Sequence, residues 1–324
     1  MSLDADAIVD RRRLRRKLTL WRTLALVAVV GVLAAIYWAS GGAGLIGESR
    51  PHIARVTVGG IIRSDRARLR MLERIGRSGA KAVIVSIDSP GGTVVGAEQF
   101  YDGLRRLAEK KPVVAIVNGL AASGGYVAAL GGDRIFAQSN AIVGSIGVIF
   151  QNPNVTELLK TIGVTVEDIK SSPLKAQPNP YSPTPPEARR AMEALVLDSY
   201  DWFRDLVRER RKLNDSELAL AADGRVFTAR QALPLKLVDE IGDERTARAW
   251  LARNKDISSD LQVRDWSAGR IGSEFGWLEM AGGMARGLGL PTIAALLSSD
   301  ALTNAAARAQ LDGLLALWHP SMTD

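Results

Sequence analysis

One serine in this chain stands where a hydroxyl could do chemistry. It is Ser123, in the stretch Asn118-Gly119-Leu120-Ala121-Ala122-Ser123-Gly124-Gly125-Tyr126. Before it, Pro112-Val113-Val114-Ala115-Ile116-Val117 is an unbroken apolar, largely β-branched run, the mark of a strand covered on both faces. After it, Tyr126 to Leu130 can form a short helix that Gly131-Gly132 stops. A hydroxyl at a strand-to-helix junction lies beside free helix N–H groups, and such donors can stabilise an oxyanion. The competing role for these residues is a tight turn that needs small side chains for packing.

A second glycine turn, Asp88-Ser89-Pro90-Gly91-Gly92, follows the strand candidate Ala82 to Ile87. In a parallel sheet both turns fall at the carboxyl edge. An amide near Gly92 and the amide of Gly124 would then offer two donors to a tetrahedral oxyanion beside Ser123. Asp88 is expected to fix the Ser-Pro turn through backbone hydrogen bonds rather than to act as a catalytic acid. Neither turn carries the glycine spacing of a nucleotide-binding loop, so no cofactor is expected.

The base for such a serine is narrowed by what the chain lacks. There is no cysteine, hence no thiol nucleophile and no thiolate metal site. The two histidines, His52 and His319, are not spaced as a zinc pair and lie far from Ser123 in sequence, so no metal is expected. A Ser-His-Asp triad built through long-range contact is the alternative; a lysine is the preferred base, because serine–lysine pairs are a variant of triad logic. It must reach the neutral amine form, which burial favours. Lys170 and Lys175 flank the irregular Ser171-Ser172-Pro173-Leu174, and the residues alone leave the choice between them open.

The elements that must hold these groups alternate. Ile53 to Val58 reads as a strand, Arg66 to Arg77 as an amphipathic helix, and Val94 to Lys110 as a second helix. Short strands are expected at Arg134 to Ala137 and Ile146 to Phe150. Strand and helix alternating at this spacing predict βαβ units and a mainly parallel sheet. Thr184-Pro185-Pro186-Glu187 predicts a helix start with a threonine cap, and Thr228-Ala229-Arg230-Gln231 a second capping box.

The ends differ from this body. Residues 1–22 hold seven basic and three acidic side chains, so they supply +4 of the net charge of +7. The rest is spread too thinly for a nucleic-acid footprint. The uncharged run 23–47 is long enough for one membrane-spanning helix. Arginines on one flank predict a cytoplasmic N-terminus, with the bulk of the chain on the far side. Residues 267–324 are rich in Gly, Ala and Leu, and Leu311, Leu314, Leu315 and Trp318 fall at helical spacing. They are expected to form a helical extension of unknown role.

Several motifs in combination carry a resemblance. They are Asp88 to Gly92, Ala122 to Tyr126, Gly144-Ser145-Ile146-Gly147-Val148, Lys170 to Lys175 and Asp223-Gly224-Arg225-Val226-Phe227-Thr228. Over about residues 53–250 the chain resembles the signal peptide peptidase A group of family S49, membrane-anchored serine–lysine peptidases related in fold to Clp protease and crotonase. The resemblance implies an α/β Clp protease/crotonase-like fold of repeated ββα units at 51–266, behind one transmembrane anchor. It implies Ser123 as nucleophile, Lys175 as general base, Ser145 orienting the lysine, and Gly91, Gly92 and Gly124 forming the oxyanion hole. Ser172 departs from the glycine found in many relatives.

The implied activity is endopeptidase action on cleaved signal peptides and other hydrophobic peptides at the bacterial inner membrane, with the catalytic domain extracytoplasmic. The implied assembly is a homo-oligomeric ring, expected to be an octamer, whose sites draw Ser and Lys from adjacent protomers. Two other functions share the fold: acyl-thioester chemistry of the crotonase kind, and an inactive membrane-anchored scaffold. The first would need a catalytic carboxylate and a nucleotide pocket, for which the sequence has no clear sign. The intact serine and lysine set speaks against the second.

Overall fold

The computed structural model describes residues 17–28, 30–31 and 49–268, together with the backbone of 314–317. Met1–Arg50 and Pro51–Asp324 are separate compact units. In the first, residues 17–28 are helical. Leu18, Leu20, Trp21, Leu24, Leu26 and Val27 all stand exposed along it. Among the described residues no helix is long and apolar enough to cross a membrane. Most of the expected span 23–47 lies outside them.

The second unit is built on six parallel strands. They are β1 (His52–Ile62), β2 (Ala80–Thr93), β3 (Val113–Ala122), β4 (Arg134–Ala137), β8 (Glu240–Ile241) and β9 (Val263–Trp266), in the order β9-β1-β2-β3-β4-β8. Three helices follow the first three strands: α1 (Arg66–Arg77), α2 (Val94–Ala108) and α3 (Gly124–Leu130). The βαβ expectation therefore describes the fold, with the sheet covered on both sides. Val83, Val85, Ile87, Ala115 and Val117 face the larger core with Phe100, Leu104 and Tyr126. The alternate residues Ala82, Ile84, Val114 and Ile116 face a smaller core. There they meet Leu251 of α8 (Glu244–Lys255). Burial on both faces explains why these strands read as continuous apolar runs.

Past the parallel layer, strands turn out of it at their carboxyl ends. β2 shifts register against β1 after Gly59 and against β3 after Ile87. β3 pairs at Leu120–Ala122 with β5 (Ile142–Gly144), which pairs antiparallel with β7 (Val226–Thr228). The expected strand at Ile146 to Phe150 shrinks to β6 (Ile149–Phe150). Positive φ at Gly144 (104) and Ser145 (50) ends β5 just before this segment, of which only Ile149 and Phe150 find a partner strand.

Several helix starts carry side-chain caps. Asp65 accepts from the amides of Ala67 and Arg68, and Thr93 from Gly96. Thr228 and Gln231 form the expected capping box at α7 (Ala229–Ala232). At α5 (Pro186–Arg211) the cap position is Pro185, without a side-chain cap bond, so Thr184 does not cap. The helical reading of the C-terminal extension is corrected at Leu314–Leu317, which form strand β10. Its apolar run fits either period, and the open edges of β2 and β6 supply the main-chain partners that select strand. The other extension residues from 269 onward lie outside the described residues.

A tight approach joins the two glycine turns. A Cβ placed on Gly125 would lie 2.6 Å from the Ser89 carbonyl oxygen. Gly125→Ala is therefore expected to destabilise the chain by about 1–3 kcal/mol, since backbone must shift to admit the methyl. Gly59→Ala, whose methyl would meet only the Asp88 carbonyl at 3.9 Å, should stay within about 0.5 kcal/mol. Urea unfolding of the two variants checks the contrast, and equal losses would refute it.

Candidate active site

Ser123 links β3 to α3 in a backbone conformation, φ 54 and ψ −119, that side-chain-bearing residues rarely adopt. Such strain costs about 1–3 kcal/mol and persists only when the surroundings over-determine it. They do so here. The Ser123 N–H donates to the Gly144 carbonyl at 2.8 Å. Its carbonyl accepts from the amides of Tyr126 and Val127. Tyr126 is wholly buried and its hydroxyl donates to the Leu237 carbonyl at 2.7 Å, pinning the first turn of α3. Burial pushes that hydroxyl's pKa well above the usual phenol range, so it stays a donor.

The side chain is not spent on the helix. Ser123 is only 1% exposed, and its hydroxyl makes no cap bond to α3. Among the described residues its one hydrogen bond is a long donation, 3.4 Å, to the Gly147 carbonyl. A serine that merely capped the helix would use its Oγ on an N2 or N3 amide. The geometry instead leaves the oxygen available for another partner. Gly124 and Gly125 open the helix, so their amides are among those with no intrahelical acceptor.

The opposite turn is held by a residue that sequence reasoning missed. Ser89 is fully buried, its Oγ donates to the Gly60 carbonyl at 2.6 Å, and it accepts from the Gly91 amide at 3.1 Å. Asp88 was expected to do this. Its side chain is exposed instead and makes no hydrogen bond among the described residues. The alternation of the strand decides the matter, because it turns position 88 outward and position 89 inward. Gly91 at φ 112 takes a conformation suited to glycine. A Cβ on Gly92 would fall 1.8 Å from the Ile62 carbonyl oxygen. Gly91 is thus required by its backbone conformation and Gly92 by the packing of β1 on β2.

Ser145 lies on the third side. It follows β5, the strand that receives the Ser123 amide, and its own N–H donates to the Arg225 carbonyl at 2.8 Å. Its hydroxyl has no hydrogen-bond partner among the described residues. Ser145 lines a pocket of about 280 Å³ with Ile146, Gly147, Val148, Val196 and Tyr200. Gly147, which receives the Ser123 hydroxyl, belongs to the same wall. The structure thus gathers Ser123, Ser145, Gly91, Gly92 and Gly124 at one edge of the sheet.

It does not bring the lysines there by any hydrogen bond. Lys170 is paired with Asp168 at 2.9 Å. Lys175 sits on an exposed turn, its amide donating to the Ser172 carbonyl at 3.1 Å. Its ammonium has no hydrogen-bond or ion-pair partner among the described residues. Histidine is excluded for His52 on position. It opens β1 opposite Ala80, at the amino edge of the sheet, and accepts a hydrogen bond from Trp266 Nε1 at 3.1 Å. His319 lies outside the described residues. No cluster of metal-ligating side chains occurs among the described residues.

This arrangement has known relatives. The model of peptidase family S49 matches residues 105–258, and that of Clp protease matches residues 63–144. A putative protease of Synechocystis sp. is 41% identical over 215 residues, which cover 66% of this chain and 78% of that protein. A putative signal peptide peptidase of Enterococcus faecium is 31% identical over 61% of this chain, and the match spans 58% of its own length. Protease 4 of Haemophilus influenzae is 32% identical over 58% of this chain and 30% of its own length. With a family segment that includes the strained serine and a relative 41% identical of which the chain covers 78%, this chain belongs to peptidase family S49.

Proposed function

We propose that the chain is a membrane-anchored serine endopeptidase with Ser123 as nucleophile and Lys175 as general base. The observation that carries this reading is the Ser123 hydroxyl, held in a strained turn yet unused by the helix it precedes. In the proposed reaction Ser123 Oγ attacks a peptide carbonyl while its proton passes to the neutral Lys175 amine. The amides of Gly92 and Gly124 take up the negative charge on the carbonyl oxygen. Collapse of the intermediate returns the proton to the leaving amine, and water then hydrolyses the acyl-serine by the same route. Ser145, with its hydroxyl uncommitted, orients the lysine amine.

The base reaches the serine from a neighbouring copy in this reading. Two features support it. Lys175 is exposed, and its ammonium is unpaired among the described residues. The segment around it also exposes Ile162, Val164, Val166, Leu174 and Ile169, the last at 99%. That much apolar surface on one segment fits a subunit interface better than open solvent. A closed ring of such contacts, an octamer in this proposal, would complete one site per interface. Apolar side chains exposed on the N-terminal helix, preceded by an arginine cluster, support an anchor with its N-terminus in the cytoplasm. The substrates proposed are cleaved signal peptides and similar hydrophobic peptides, in keeping with the name of the Enterococcus relative.

Ser123→Ala and Lys175→Ala are each expected to lower hydrolysis of a fluorogenic hydrophobic peptide roughly a thousandfold or more, with unchanged thermal melting. Full activity in the purified Ser123→Ala protein overturns the mechanism. Mixing the two dead proteins under subunit exchange should restore part of the activity, and a mixture that stays dead refutes the shared site. Ser89→Ala unpairs the part-buried Gly60 carbonyl and the buried Gly91 amide, which costs about 1–3 kcal/mol. Because it loosens the oxyanion turn, steady-state kinetics should show kcat falling more than KM rises.

A further inference from the structure

The helix that follows the candidate nucleophile is short, and its position depends on what grips it. α3 runs only from Gly124 to Leu130, and Ser123 precedes it without capping it. A helix of about two turns has too few internal bonds to hold itself. Two adjacent arginines in the last turn of α5, Arg210 and Arg211, hold its ends. Arg210 takes the far end. Its Nε donates to the Leu130 carbonyl at 3.0 Å and its Nη2 to the Gly132 carbonyl at 2.8 Å. Arg105 of α2 adds a donation to the Gly131 carbonyl at 3.0 Å.

Arg211 takes the near end through a loop. Its Nε donates to the Lys236 carbonyl at 2.5 Å, and its two terminal nitrogens donate to the Asp239 carboxylate at 3.1 and 2.8 Å. Asp239 in turn accepts from the Ile135 amide of β4 at 2.7 Å. Between the two grips lies Leu237, whose carbonyl accepts from the Tyr126 hydroxyl in the first turn of α3 at 2.7 Å.

On the reading of Ser123 as nucleophile and Gly124 as an oxyanion donor, we propose that Arg210 and Arg211 are positioning residues. They clamp α3 at both ends and so set where the Gly124 amide meets the substrate carbonyl oxygen. Three observations carry this. First, apart from the Asp239 fork, every bond from the two arginines ends on a main-chain carbonyl, so the bonds fix backbone. Second, the Arg211 side chain is only 10% exposed and Tyr126 is wholly buried, so water does not compete along the path to the first turn. Third, Val196 and Tyr200 of the same helix line the pocket that holds Ser145 and Gly147. From Tyr200 to Arg210 α5 rises about 15 Å, and this one rod touches both sides of the site.

An oxyanion donor works only within about 2.7–3.1 Å of the charge that develops in the transition state. A displacement of about 1 Å can cost on the order of a hundredfold in rate. Ground-state binding of the peptide does not depend on that amide, so loosening the clamp should act on kcat. Lysine is a poor substitute at either position, because a single ammonium lacks the planar fork that spans two acceptors.

The test compares Arg210→Lys, Arg211→Lys and Tyr126→Phe in the full chain. Each is expected to lower kcat for a fluorogenic hydrophobic peptide about ten- to a hundredfold, with KM within about twofold. Tyr126→Phe and Arg211→Lys cut the same path, so the double variant should be no slower than the slower single one. Leu251→Ala, in the smaller core, should lower the melting temperature with kcat unchanged. An unchanged kcat in either lysine variant, losses that multiply in the double variant, or a kcat that follows melting temperature across all four single variants overturns the clamp. A second measurement needs no activity. In the Ser123→Ala chain, adding Arg211→Lys should speed hydrogen exchange of the Tyr126 and Val127 amides, which bond to the carbonyl of residue 123. Unchanged exchange refutes the clamp even if the enzyme hydrolyses peptides. Faster exchange in a chain that, with Ser123 restored, hydrolyses nothing refutes the peptidase reading and leaves the clamp on α3 standing.

Discussion

The closest contact between the two catalytic-edge turns is the constraint from which the rest of the site follows. Gly125 meets the Ser89 carbonyl with no room for a side chain. That contact sets how far Ser123 stands from Gly91 and Gly92. Everything around it keeps the two turns pressed together. Ser89 ties the turn of β2 to Gly60 in β1. The Ser123 amide is tied to Gly144 in β5, and Tyr126 ties α3 to the backbone at Leu237. Each bond spans two elements, so the strain at Ser123 is distributed over the sheet rather than relieved locally.

A parallel sheet suits this purpose because it delivers successive loops to one edge. Here β2 and β3 end side by side, with Ser89 opposite Ala121. The bend of both strands out of the parallel layer then makes a second small set of pairings around the serine. β5 and β7 stand on one side, and β6 and β10 on the other.

The charged half of the chemistry lies apart. Lys170 is neutralised by Asp168, while Lys175 is exposed on a turn amid apolar side chains that are themselves exposed. A lone chain gains nothing from that surface. Burial against a second copy would remove water from the apolar groups, and the same loss of water favours the neutral amine that a base requires. The assembly and the activation of the lysine are one physical step in the proposed reading.

The sequence by itself determined the layers of this protein and the residues at their edge. Runs such as Val113 to Val117 could only be strands covered on both faces, and the glycine turns after them had to reach one edge of the sheet. Serine at 123 and the absence of a nearby histidine were legible from residue types alone. Tertiary structure decided the rest, because each remaining question concerned a contact between residues distant in sequence. Ser89, not Asp88, holds the turn, because the acceptor at Gly60 belongs to another strand. Ile142–Gly144, not Ile146 to Phe150, forms the longer strand, because β3 and β7 offer partners only there. Leu314–Leu317 are a strand and not a helix, because an apolar run fits both periods. The open edges of β2 and β6 choose between them, and no local pattern records where those edges are.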